Sequence, residues 1–268
     1  VVFIHGLGMS KEIWLRPQEA RTLGLFPVVA FSRYRRPRTL LHEVRRRGYG
    51  LLCFSQQRPM APARVAEAEL RELLRMASPK RYILVGHSRG GLIARAYLKD
   101  PLPGCLGYIS LATPHRGCGM ARWVEFLEPL APLLRRLTPQ KAGGRLGLAL
   151  RRASAFLESP AVRELLPGSA FLRCLTEPKP PVAISVGGTE PRLFGLLGVE
   201  FPQALEALLP AGAFPPEMRK GLGDGLVTAE SAVYPKADAH LNFPVNHAEV
   251  LFDLRIRKTL MGWIERMH

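Results

Sequence analysis

Short runs of apolar, β-forming residues alternate along the chain with stretches whose apolar positions recur every three to four residues. Residues 1–4 (Val-Val-Phe-Ile) form the first such run, and it ends in His5-Gly6-Leu7-Gly8. An arginine-rich stretch with one apolar run at 26–31 follows and gives no regular period. Further strand-like runs lie at 50–54, 81–85, 106–112, 181–188 and 240–245. Between them, Val65, Ala68, Leu70, Leu73 and Leu74 stand among charged residues at helical spacing, which predicts a helix over 63–76. Residues 91–98 read as helix, and 248–267 as a closing amphipathic helix. Strands that alternate with helices predict a doubly wound sheet with a parallel core. From 117 to about 180 the strand pattern stops. Met120, Trp123, Val124, Leu127, Leu130, Leu134 and Leu137 repeat at helical spacing, as do Leu146, Leu150, Ala153 and Leu157. This segment reads as a helical insertion within one domain spanning 1–268, acting either as a fixed covering layer or as a moving lid.

In one place the pattern carries chemistry. The run 81–85 leads into Gly86-His87-Ser88-Arg89-Gly90 and then into a helix. Strand, G-x-S-x-G, helix is the setting of a nucleophile elbow, a sharp turn that presents a serine hydroxyl beyond the strand end. Glycines at 86 and 90 let strand and helix approach where a Cβ would clash. The Arg89 amide falls at the helix N-terminus, where unpaired N–H groups favour developing negative charge. The loop after the first strand offers a second donor, the amide of Leu7, and the pair would form an oxyanion hole. His5, which precedes a glycine in that loop, reads as a packing residue.

An activated serine needs a base, and the base needs an orienting acid. Asp224 stands between Gly223 and Gly225 in a tight loop, and His247 follows the last predicted strand. Ser88, Asp224 and His247 thus fall in the order Ser…Asp…His at predicted strand ends. The rival histidines are His240, at the start of that strand, and His115, which precedes the acid. The rival acid is Glu190, directly after a strand end.

Charge changes the picture further. Lys and Arg total 38 against 22 Asp and Glu, a net charge of +16, and seven arginines lie between Arg33 and Arg47. Such a surface suits anionic lipid headgroups or acidic substrates, if it is more than a solvated face. No zinc-finger spacing or RNA-recognition signature accompanies it, which disfavours nucleic acid as a partner. The four cysteines (Cys53, Cys105, Cys118, Cys174) show no CxxC spacing and read as free core thiols or at most one or two bridges, with Cys53 a buried apolar residue. No run of 18 apolar residues predicts a membrane-spanning helix. The chain opens at Val1 directly in a strand without a signal peptide. A removed leader would make it exported or membrane-peripheral, so the compartment stays open. Asparagine occurs only at 242 and 246, a scarcity that fits a heat-adapted source or a biased base composition.

HGLG at 5–8, GHSRGG at 86–91, ATPHRG at 112–117, GDGLV at 223–227 and NHAEVL at 246–251 together resemble the bacterial lipase and esterase branch of the α/β-hydrolases, with similar motifs in GPI-inositol-deacylase-like relatives. The resemblance implies an α/β-hydrolase fold: a mostly parallel central sheet flanked by helices, with a lid inserted after the Thr-Pro-His-Arg-Gly motif. It also implies carboxylic-ester hydrolysis of lipid or acyl esters through an acyl-enzyme, with Ser88 as nucleophile, His247 as base, Asp224 as orienting acid and no cofactor. A phospholipase or an acyltransferase would use the same triad, and a silent binding protein could keep the fold without the activity. Two departures stand out. Arg89 occupies a position where such lipases often carry glutamine, which would put a bulky cation at the cleft. Some relatives bind structural calcium through an acid two residues after the histidine. Glu249 stands there, but its upstream partner is lacking, with only Glu200 and Glu206, near Pro202, as loose substitutes. No metal is expected.

Overall fold

A computed structural model describes residues 1–22, 26–119, 121, 152, 155–156, 158–192, 194–196, 199–201 and 214–268. Its centre is a six-stranded sheet of β1 (Val2–Ile4), β2 (Leu52–Phe54), β3 (Tyr82–His87), β4 (Cys105–Leu111), β5 (Val182–Gly188) and β6 (Ala239–Phe243), in the order β6-β5-β4-β3-β1-β2. Every neighbouring pair is parallel, and the register sets Ile4 opposite Gly86, Gly86 opposite Ser110 and Ser110 opposite Ser185. A parallel sheet needs cover on both faces, which is why its strands read as nearly unbroken apolar runs.

Alternation along each strand divides the core in two. Phe3, Val85, Ile109 and Ile184 face α2 (Leu40–Arg46) and α7 (Leu254–Met267). Val2, Ile4, Leu84, Tyr108 and Ala183 face α3 (Ala63–Ala77) and α4 (Arg89–Tyr97). The remaining α-helices among the described residues are short: α1 (Glu12–Leu15), α5 (Pro160–Arg163) and α6 (Ala170–Cys174). Because all six strands run one way, His5–Gly8, Ser88, Thr113–Gly117, Gly188 and Asn246–His247 leave the sheet at the same edge, where ligands of open α/β sheets bind.

The arginine-rich stretch is more regular than its composition predicts. Thr39 caps α2 in a box with His42, and Leu40, Leu41 and Val44 are buried beneath the arginines. The closing helix begins at Leu254 rather than 248, because the Asp253 side chain accepts from the amides of Arg255 and Ile256 and so sets its start. The last strand stops at Phe243, before Pro244, which has no N–H to continue the ladder. Among the described residues the four cysteines form no disulfide; Cys53 is half-buried rather than fully enclosed, and Cys174 is exposed rather than in the core. Of the insertion expected at 117–180, residues 120, 122–151, 153–154 and 157 lie outside the described residues, and with them Trp123 and the first leucine stripe. Where the insertion is described beyond 158, it is helical at α5 and α6.

Candidate active site

Ser88 stands between the last residue of β3 and the first of α4, with φ 54° and ψ −129°. A non-glycine residue rarely holds this conformation, and it persists because the surroundings enforce it. The Ser88 amide donates to the Leu111 carbonyl at 2.8 Å. A Cβ on Gly86 would fall 2.5 Å from the Gly91 Cα, and one on Gly90 2.5 Å from the Ile4 carbonyl oxygen, so both elbow positions exclude any side chain. With the described residues, Ser88 Oγ makes no hydrogen bond.

The acid loop is built the same way. Gly223 abuts the Glu217 backbone, where a Cβ would come within 2.6 Å, and Gly225 has φ 96°. Between them Asp224 turns Oδ1 to the amides of Leu226 (3.0 Å) and Val227 (2.8 Å), and Oδ2 accepts from His247 Nδ1 at 2.8 Å. The His247 amide also donates to the Asp224 carbonyl at 3.0 Å. With its proton on Nδ1, the imidazole keeps Nε2 as an acceptor. Behind it lies His87, whose Nε2 donates to the His247 carbonyl at 3.0 Å and whose ring centroid is 4.9 Å from that of His247. Burial above all, then the neighbouring His247, pushes His87 down to about 3, so it stays neutral.

Ser88 and His247 line one cavity of about 310 Å³ together with Leu7, Met9, Pro114, Cys118, Phe156, Val162, Leu165, Leu226 and Val227. Its walls are almost wholly apolar. The loop carrying Leu7 passes close to the serine: a Cβ on Gly6 would fall 3.0 Å from Ser88 Cβ. Arg89 is the first residue of α4, so its amide has no partner within the helix. The two expected oxyanion donors therefore belong to backbone segments that flank the serine.

The model of the alpha/beta hydrolase family matches residues 1–253. The chain belongs to that family. No curated protein sequence matches it. Among solved structures it is similar to lipase 1 from Pelosinus fermentans (TM-score 0.60, 13% identity, 99% of this chain and 97% of that chain covered). It is also similar to the mature form of the lipase BlEst2 from Bacillus licheniformis (TM-score 0.56, 18% identity, 99% and 90% covered). A third is a lipase-esterase related protein from Clostridium acetobutylicum (TM-score 0.52, 10% identity, 100% and 93% covered). At these identities the likeness is one of fold.

Within this α/β hydrolase the rival residues are occupied elsewhere. Glu190 faces Arg192 at 3.8 Å, His240 bonds Ser185 Oγ at 2.8 Å, and His115 is buried against Ser110 Oγ at 3.1 Å. His5 is a packing residue. Its Nδ1 donates to the Gly6 carbonyl at 2.9 Å, its Nε2 accepts from the Gln56 amide at 3.1 Å, and burial brings it down to about 4. Glu249 accepts from the amides of Arg33 (2.9 Å) and Asn246 (3.5 Å), so this carboxylate ties the arginine-rich loop to the histidine loop. Among the described residues no cluster of His, Cys, Asp or Glu is arranged to hold a metal. Pro202 and Glu206 lie outside the described residues.

The expected cation at the cleft requires correction. Arg89 has no exposed surface and does not line the cavity; its guanidinium lies in a cage of oxygen acceptors. Sequence reasoning missed the members of that cage, Gln56 and Glu164, and also His87 as the support behind His247. Only His87 lay inside a recognised motif; the other two are brought in by the fold from distant loops.

Proposed function

We propose that this α/β hydrolase is a serine carboxylic-ester hydrolase that cleaves lipid or acyl esters through an acyl-enzyme. The observation that carries the reading is the 2.8 Å Asp224–His247 hydrogen bond on a wall shared with the strained Ser88. In the first half-reaction His247 Nε2 takes the hydroxyl proton as Ser88 Oγ attacks the ester carbonyl carbon. The carbonyl oxygen becomes an oxyanion facing the Leu7 and Arg89 amides. Asp224 steadies the imidazolium, which then hands its proton to the departing alcohol. The acyl group remains on Ser88, with its chain along the apolar wall of Pro114, Val162, Leu165 and Val227. Water, deprotonated by His247, attacks the acyl carbon; the imidazolium returns that proton to Ser88 Oγ as the acyl C–Oγ bond breaks, and the carboxylic acid leaves.

A fluorophosphonate label with mass mapping, run beside hydrolysis of p-nitrophenyl esters, tests this. The parent should label at Ser88 and hydrolyse ester, and Ser88→Ala should lose both while remaining folded. Asp224→Asn should lower kcat by about 10⁴, through the wrong imidazole tautomer, while Glu190→Gln stays within about twofold. Activity in Ser88→Ala within tenfold of the parent would overturn the nucleophile, and reversed effects of the two acids would overturn the choice of Asp224. A parent that neither labels nor hydrolyses any ester would leave a binding protein on a hydrolase fold. A vesicle phospholipid cleaved faster than the p-nitrophenyl esters would narrow the substrate to phospholipid. An added alcohol that captures the acyl group would identify an acyltransferase.

A further inference from the structure

Burying a guanidinium is costly unless its N–H groups find acceptors. Arg89 Nη1 donates to Gln56 Oε1 at 3.0 Å and to the Pro59 carbonyl at 3.2 Å. Nη2 donates to the Ala61 carbonyl at 2.6 Å and to Glu164 Oε2 at 3.3 Å. Nε has no hydrogen-bond partner among the described residues. Serving as a helix-start backbone donor would require no side chain at all, so this cage asks for another explanation.

Each acceptor leads somewhere. Gln56 Nε2 donates to the His5 carbonyl at 3.2 Å, the Gln56 amide donates to His5 Nε2, and His5 Nδ1 in turn holds the Gly6 carbonyl. The same peptide group carries the Leu7 amide on its other side. Glu164 Oε2 also accepts from the Ala63 amide at 2.8 Å, and Glu164 sits between Val162 and Leu165, two residues of the cavity wall. One side chain therefore joins the loop that holds one oxyanion donor to the insertion that forms the wall, while its own backbone holds the other donor.

We propose that Arg89, Gln56 and Glu164 form a positioning cluster that sets the spacing of the two oxyanion donors and fixes the Val162–Leu165 wall of the acyl site. This rests on the ester-hydrolase reading above. The Arg89 side chain touches no reacting atom. It acts through Gln56 and His5 on Leu7, and through Glu164 on the wall. A lysine cannot replace it, because a single ammonium does not reach four acceptors arranged around a planar fork.

Gln56→Glu isolates the effect. It keeps an oxygen against Arg89 and adds a charge pair there, but it sets a carboxylate oxygen against the His5 carbonyl where the amide donated. The variant should melt within a few degrees of the parent or above it. Its kcat on p-nitrophenyl butyrate should fall about 10- to 100-fold with KM within threefold, part of the loss seen when an oxyanion donor is removed. Affinity for a trifluoromethyl ketone, which forms the oxyanion on Ser88, should fall by the same factor as kcat/KM. Arg89→Lys should show the same proportional loss with a lower melting temperature. Glu164→Gln should change the hexanoate-to-acetate ratio of kcat/KM at least threefold. A folded Gln56→Glu with unchanged kcat, or a loss of kcat with full ketone affinity, overturns the positioning role. An unchanged ratio in Glu164→Gln overturns the link to the wall. Because the parent is assayed for Ser88 labelling alongside, failure of the hydrolase reading appears separately, as a parent without label or activity.

Discussion

His87 shows how single residues here are held in a state that water would not choose. Its ring is wholly buried between the elbow and His247, one nitrogen donates to the His247 carbonyl, and the other has no partner among the described residues. Protonation would place a charge in that setting, so the folded protein holds His87 near 3, well below the ordinary 6.5, and His5 near 4 for the same reason. The consequence for stability has a definite sign. Between these values and 6.5 the unfolded chain binds protons that the folded chain refuses, so stability is full above about 6.5 and falls as pH drops toward 3. Each such group contributes a slope of about 1.4 kcal/mol per pH unit inside its window. The urea midpoint should therefore fall steadily from pH 6.5 to pH 4. His87→Gln keeps a side-chain N–H for the His247 carbonyl but cannot take up the proton, and should remove about one proton's worth of that slope. Equal slopes in parent and variant, measured by urea titration at several pH values, would show that His87 does not titrate in this way.

At the scale of elements, the elbow depends on the absence of side chains. A Cβ at Gly90 would meet two backbone oxygens, those of Ile4 and His5, at 2.5 and 2.6 Å. Backbone on the adjoining strand cannot swing aside as a flexible side-chain tip can. Gly90→Ala should cost about 1–3 kcal/mol or more in urea unfolding and slow fluorophosphonate labelling, because β1 and the Leu7 loop must move. Gly50→Ala, with open space around the added carbon, should stay within about 0.5 kcal/mol. A mild effect at Gly90 would mean that strand and helix are less tightly packed than they stand here. The same physics explains what could be read in advance. Strands buried on both faces announce themselves as apolar runs, and α3 as a charged helix with one apolar stripe. The glycines that frame Ser88 and Asp224 mark places where only backbone fits. By contrast, α2 hides three buried residues among arginines in a helix too short to show a period. Arg89 finds cage partners up to 75 positions away, and no local pattern encodes a partner at that distance.

For the whole molecule the question is where a charge of +16 lies. Some of the basic residues are paired within the fold: Arg46 and Arg257 meet Glu43, and Arg47 meets Glu265. Arg35, Arg36 and Arg38 are exposed instead, on the segment that follows Arg33, whose amide is bound to Glu249 two residues beyond His247. Arg219 and Lys220 are exposed just before the Asp224 loop, beside Leu222, which is 51% exposed. The basic groups thus flank the loops of the proposed acid and base, at the edge where the apolar cavity lies. No helix among the described residues is long and apolar enough to cross a membrane. We propose that these basic groups attract an anionic lipid surface. Each basic residue near such a surface is worth about 1 kcal/mol, and salt screens the effect over about 10 Å at 0.1 M. Combined Arg35→Gln, Arg36→Gln and Arg38→Gln should weaken binding to vesicles containing phosphatidylserine by about 100-fold at low salt, with much less effect at 0.5 M. Binding to neutral phosphatidylcholine vesicles should change little, as should hydrolysis of a dissolved p-nitrophenyl ester, since none of the three side chains lines the cavity. Cosedimentation at two salt concentrations measures the first part and a colorimetric assay the second. Equal binding of the parent to neutral and anionic vesicles would show that the arginines serve only as a solvated face.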